Sequence, residues 1–108
     1  MAYFYQITFD ISTDDMSALQ IGGSLERTLG YLRALLPSEP GYITIRAARS
    51  IDVGNHIHLL VESEWDTWQD LAQHRASSLA EDKVLKEFEP HVELEDLTIR
   101  VFEEVASG

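Results

Sequence analysis

The sequence predicts an α+β fold, one antiparallel sheet carrying helices on a single face, in a chain of 108 residues. Three observations predict it. Tyr3, Tyr5, Ile7, Phe9 and Ile11 alternate with Phe4, Gln6, Thr8 and Asp10, the period of two that a strand with unlike faces requires. Leu25, Leu29, Leu32 and Leu36 recur instead at helical spacing. The two periodicities then succeed one another as strand, helix, strand, strand, helix, strand, which is the split βαβ or ferredoxin-like (βαββαβ) order. At this length, with 44% hydrophobic residues, residues 1–108 are expected to form one domain around one core.

The first strand is predicted over Tyr3 to Ile11. Ser12-Thr13 can cap the next element, and a helix is expected from about Ser24 to Leu36, stopped by Pro37 and Pro40; Gly22-Gly23 weaken any earlier start by about 1 kcal/mol each relative to alanine. Tyr42 to Ser50 and His56 to Trp65 read as two strands pairing antiparallel around the short loop Asp52-Val53-Gly54-Asn55. A helix from Thr67 to near Ser77-Ser78 has Asp66 or Thr67 as N-cap, with Gln69 or Asp70 placed to close a capping box. A short helix from Glu81 to Phe88 turns Val84, Leu85 and Phe88 inward and stops at Pro90. Leu97 to Val105 closes the sheet.

Odd-numbered strand residues are mainly apolar, so Tyr3, Tyr5, Ile7, Phe9, Ile43, Ile45, Ile57, Leu59, Val61, Trp65, Leu97, Ile99 and Val101 are assigned to the helix-covered face. The even face mixes Phe4, Tyr42, Leu60 and Phe102 with Gln6, Asp10, Arg46, Arg100, His56, His58 and Glu62. That composition suits contact with the sheet of a second copy, and a homodimer through sheet faces is expected, enclosing a barrel with a partly wet interior.

Composition removes several classes of chemistry. Without cysteine there are no disulfides, zinc–thiolate sites or thiol nucleophiles, and a reducing, cytoplasmic setting is the simpler expectation. No membrane segment or basic leader is expected. A formal charge of −11 repels nucleic-acid phosphates and anionic membranes. Gly22-Gly23 lack a phosphate-loop motif, and no serine sits in a Gly-x-Ser-x-Gly elbow. His56, His58 and Glu62 share a strand face, but this spacing alone is a weak metal signal, and no metal is expected.

What remains is SEWDTWQDLAQH, Ser63 to His74, holding both tryptophans and one of the four histidines. Trp65 ends its strand on the helix-facing side. Trp68 falls on the helix stripe of Leu71, Ala72 and Leu79, so both rings are expected between sheet and helices, Trp68 chiefly as packing. His74 lies toward the Leu71 edge of that stripe, at a pocket rim or in water.

The run PGYITIRAARSIDVGNHIHLLVESEWDTWQDLAQH, followed by a short helix and TIRVFEEV, resembles the antibiotic biosynthesis monooxygenase family of dimeric α+β barrels. The pattern is Pro-Gly before the second strand, a hairpin, a strand ending in an aromatic, a polar helix start and a histidine nine residues after that aromatic; Pro40-Gly41, Trp65, Asp66-Thr67 and His74 match it. The resemblance covers about two-thirds of the chain and leaves Ser12 to Gly23 outside it. It implies a pocket between sheet and helices in each protomer. It also implies, as some relatives do, oxygenation of a small aromatic or quinol-like molecule with no metal or flavin cofactor. Trp65 and His74 would then be the catalytic candidates, as wall and base, with Tyr5, Trp65 and Trp68 contacting substrate and Tyr5 donating a hydrogen bond. Many relatives carry a glutamate two residues before the strand-ending aromatic; here Ser63 stands there, with Glu62 and Glu64 turned to the other face, so no pocket carboxylate is expected. The asparagine, tryptophan and histidine set of haem-degrading relatives is not matched. The competing expectation is a non-catalytic dimeric barrel that binds a small apolar ligand or a partner.

Overall fold

The computed structural model describes residues 1–51 and 54–108. β1 (Tyr3–Ser12) lies at the centre of a four-stranded antiparallel sheet of order β2-β3-β1-β4, with β2 at Tyr42–Arg49, β3 at His56–Trp65 and β4 at Thr98–Glu103. Of the expected hairpin loop, Asp52 and Val53 lie outside the described residues. The helices α1 (Ala18–Leu35), α2 (Trp68–Ser77) and α3 (Leu79–Phe88) follow the expected order. In-register pairing of Ile7 with Val61 and Ile99 aligns the apolar faces of three strands. Ile7, Ile21, Leu32, Leu36, Leu59, Leu71, Val84 and Phe88 are fully buried between this face and the helices. This is the ferredoxin-like arrangement that the order of periodicities predicts.

Two boundaries differ from expectation at the helices. α1 begins at Ala18, six residues before Ser24, and runs through Gly22-Gly23. Its start is held by a capping box in which the Ser17 hydroxyl accepts from the Gln20 N–H and the Gln20 side chain accepts from the Ser17 N–H. Burial of Ile21 in the core adds a tertiary contact that outweighs the low propensity of the glycines. α3 begins at Leu79 rather than Glu81, directly after Ser78, which ends α2 in the left-handed conformation. β4 is shorter than expected at both ends: Leu97 follows a 3-10 turn over Leu94–Asp96, and Val105 is exposed.

A further correction concerns β2. Tyr42 pairs with Trp65 and Thr44 with Glu64, so one extra residue is accommodated between them. The irregularity places the Tyr42 ring against Trp65, with centroids 6.0 Å apart, among the residues packed on the core. Ile43, expected on the covered face, is instead 48% exposed. A bulge shifts the alternation by one, and both assignments fail for that single reason.

The opposite face is an ion-paired surface. Arg46 Nη2 lies 2.6 Å from Glu62 Oε2, Gln6 donates to Glu62 Oε1 at 3.2 Å, and His58 Nδ1 lies 2.5 Å from Asp10 Oδ1. Phe4 and Phe102 are register partners on the same face. With Thr44, Arg46, Glu62 and Glu64, Phe4 lines a cleft of about 200 Å³.

Candidate functional site

The strand-to-helix junction is held by backbone fit and capping. Thr67 caps α2, its hydroxyl accepting from the Asp70 N–H at 3.1 Å and donating to the Asp70 carboxylate at 2.7 Å. Gly41 O accepts from the Asp66 N–H at 2.8 Å. Gly41 itself has φ of 77°, and a Cβ there would overlap the Asp70 carboxylate. Both the left-handed backbone and the close approach require glycine, which accounts physically for Gly41 opposite the helix start.

This junction places Trp65, at the end of β3, beneath the first turns of α2. Trp65 is 0% exposed, and its indole N–H donates to Ser63 Oγ at 2.9 Å. Ser63 therefore satisfies a buried donor two residues along the same strand face. On α2 only Leu71 and His74 are buried, three positions apart on one helix face. His74 stacks on Trp65 with ring centroids 4.6 Å apart and planes 24° apart, and Tyr5 meets it edge-on at 5.1 Å. The structure thus brings Tyr5, Trp65 and His74 together from β1, β3 and α2.

His74 is deeper than expected, at 2% exposure. A buried imidazole needs partners for its two nitrogens. Nδ1 lies 3.1 Å from Glu39 Oε2; because a carboxylate only accepts, Nδ1 carries the proton and Nε2 holds the lone pair. Among the described residues, no group hydrogen-bonds Nε2. Burial lowers the pKa of His74 from the usual histidine range, opposed by the charge and hydrogen bond of Glu39 and by the charge of Glu81.

Two carboxylates therefore reach a cluster where none is expected. Glu39 comes from the turn between α1 and β2, and Glu81 from α3, where it is buried. Tyr5 donates its hydroxyl proton to Glu81 Oε1. Burial raises the Tyr5 pKa well above the usual phenol range, and the Glu81 hydrogen bond and charge raise it further, with Arg75 pulling the other way. The β3 glutamates, Glu62 and Glu64, face outward, and both carboxylates of the cluster come from other elements. Glu81 is legible nonetheless, since it precedes Val84 by three and Phe88 by seven on the buried stripe. Glu39 carries no local pattern of that kind.

Trp68 is not part of this cluster. It is 45% exposed and leans on Tyr3, with centroids 6.2 Å apart. At the first position of α2 its ring projects beside the junction rather than beneath it, so the expected placement in the layer between sheet and helices is corrected.

Other clefts lie away from this cluster. One of about 470 Å³ is lined by Phe9 to Ser12, His56, His91 and Arg100 among others, and one of about 460 Å³ lies between α3 and the Pro90–Leu94 segment. Among the described residues no three His, Asp or Glu side chains are gathered to hold a metal ion. No helix among them is long and apolar enough to cross a membrane.

No family model matches the chain, and no curated protein matches it closely enough to count as a relative. Solved structures do match across nearly the whole length. The cofactor-independent oxygenase SnoaB of Streptomyces nogalater, solved as a point mutant, is 10% identical with a TM-score of 0.64, covering 98% of this chain and 95% of that one. A Deinococcus radiodurans protein described as a proposed antibiotic biosynthesis monooxygenase is 19% identical with a TM-score of 0.58, covering 99% and 95%. A dimeric ferredoxin-like protein of unknown function from Thermobifida fusca is 14% identical with a TM-score of 0.60, covering 94% and 90%. By fold, therefore, the chain is an α+β protein like the antibiotic biosynthesis monooxygenase structures.

Proposed function

We propose that this protein is a monooxygenase that needs no cofactor and oxidises a small aromatic or quinol-like molecule with molecular oxygen. The observation that supports it most is the free Nε2 lone pair of a buried, neutral His74 set between the aromatic rings of Trp65 and Tyr5. A desolvated base with one unused lone pair suits removal of a proton from an acidic methylene or hydroxyl group. The resulting electron-rich anion passes an electron to oxygen, and recombination of the two radicals makes a peroxide anion on carbon. His74 returns the proton to the peroxide. At a methylene, loss of water then leaves a carbonyl, so that CH2 and O2 become C=O and H2O. The protein supplies the base, aromatic walls and exclusion of water. The fold shared with SnoaB, a cofactor-independent oxygenase, supports the same reading.

A second reading is supported by the packing. Trp65 and His74 are stacked and closed off from solvent, as in a non-catalytic dimeric barrel that binds a small apolar ligand or a partner. Oxygen uptake with a panel of hydroquinones and anthrones separates the two. Substrate-dependent uptake is expected, falling at least about 100-fold in His74→Ala, the usual scale for loss of a general base. Binding of the panel without uptake would leave the binding module as the better reading.

A further inference from the structure

The proposed base has an asymmetric environment. Its buried side is aromatic, while its Nδ1 partner, Glu39, stands on a turn between two elements with its side chain 27% exposed. The imidazole itself contributes only 1% exposure. The titratable and charged groups facing His74 come from four elements. Glu39 comes from the turn before β2, Tyr5 from β1 and Glu81 from α3, with Arg75 beside it on α2 and acting on Tyr5. Trp65 from β3 closes one ring face. Of these, only Glu39 hydrogen-bonds the imidazole.

We infer that Glu39 is the positioning residue of this site: its carboxylate holds His74 as the Nδ1–H tautomer, leaving Nε2 free as a base, and stabilises the imidazolium formed when Nε2 takes a proton. The inference rests on the oxygenase reading for its purpose and on the Glu39–His74 geometry for its substance. An imidazole has one proton for two nitrogens, so whichever group fixes the proton on Nδ1 determines where the lone pair lies. A cation formed at 2% exposure is costly without an opposite charge in contact, and Glu39 supplies one at 3.1 Å. The carboxylate keeps some solvent contact, so the pair avoids the full penalty of two buried ions.

The position is not dictated by packing. Glu39 belongs neither to a helix nor to a strand, and its N–H bonds only to Leu36 O within its own turn. An apolar residue of similar size would satisfy the turn as well, but would leave a second buried nitrogen of His74 without a partner.

Nitrogen-15 NMR of His74 tests this without any substrate. The wild-type protein is expected to show protonated Nδ1 and unprotonated Nε2 at neutral pH. In Glu39→Leu this preference is lost and the tautomers mix. In Glu39→Gln the amide oxygen still accepts from Nδ1, so the tautomer persists while the midpoint of His74 protonation moves to lower pH. Glu39→Asp keeps the charge and is expected to titrate nearer wild type, which also covers a failure of the other variants to fold.

With a substrate from the oxidation panel, Glu39→Gln is expected to lower kcat about 10-fold to 100-fold with little change in KM. The acid limb of its rate profile should follow the NMR midpoint downward. An unchanged His74 tautomer in Glu39→Leu together with an unchanged midpoint in Glu39→Gln would overturn the inference. Failure of the whole panel to react would count against the oxygenase reading alone, because the tautomer and midpoint are read on the resting protein.

Discussion

His74 is buried as a neutral ring, and that makes stability depend on pH in a known direction. Its folded pKa is lowered by desolvation, so the unfolded chain binds a proton that the folded chain refuses. The contribution is complete above the unfolded value near 6.5 and is lost as pH falls from there through the folded pKa. Between the two values the slope reaches at most about 1.4 kcal/mol per pH unit. Urea titrations of wild type and His74→Gln from about pH 7.5 to about pH 5 should therefore converge as pH falls, since carboxylate titration is common to both. A constant gap between the two curves would mean that His74 protonates as readily folded as unfolded. At this scale the sequence shows some members of the cluster and hides others. Tyr5 and Trp65 are legible because strand alternation places them on the covered face. The depth of His74 is not, because its partner Glu39 lies 35 positions away and no local spacing announces the pair. Trp68 misleads for the opposite reason: its position matches the stripe, but a residue at the first helical turn can project past the edge of the sheet.

Elements meet here through small residues as much as through large ones. Gly41 combines a φ of 77° with contact to Asp70 of α2, so Gly41→Ala is expected to cost about 2 kcal/mol and to loosen the α2 N-terminus. Gly30, inside α1, meets nothing within 4 Å of where a Cβ would stand, so Gly30→Ala should instead stabilise the protein by about 1 kcal/mol. Urea midpoints of the two variants read opposite signs from the same chemical change; a stabilising Gly41→Ala would contradict the close approach. The strands and α2 are legible from period and capping chemistry, while the start of α1 is not. Glycine propensity argues against residues 18–23 as helix, and only the Ser17–Gln20 capping box with the burial of Ile21 reverses it.

For the whole molecule the decisive surface is the outer face of the sheet. Phe4 and Phe102 stand side by side there among the Arg46–Glu62 and Asp10–His58 pairs. Sheet-to-sheet association would remove the two rings from water and leave the charged pairs at a wet seam. Sedimentation at micromolar concentration is expected to give twice the 12.2 kDa chain mass, and Phe102→Asp to shift it toward one chain. A wild-type monomer at that concentration would leave this face solvated. The sequence shows the mixture of residue types on this face plainly. It does not show that Tyr42 is absent from it, since that depends on one unpaired residue in β2.

That residue has an effect on how the interior is built. The bulge between Tyr42 and Thr44 lets the same strand offer Trp65 a phenol ring as neighbour while Ile43 stays outside. Two adjacent side chains, one aromatic and one aliphatic, are thus interchangeable in principle. The spacing between Gly41 and Thr44 chooses which of them packs on Trp65, so the neighbour of that indole can change by a gain or loss of chain length, with no substitution at either position.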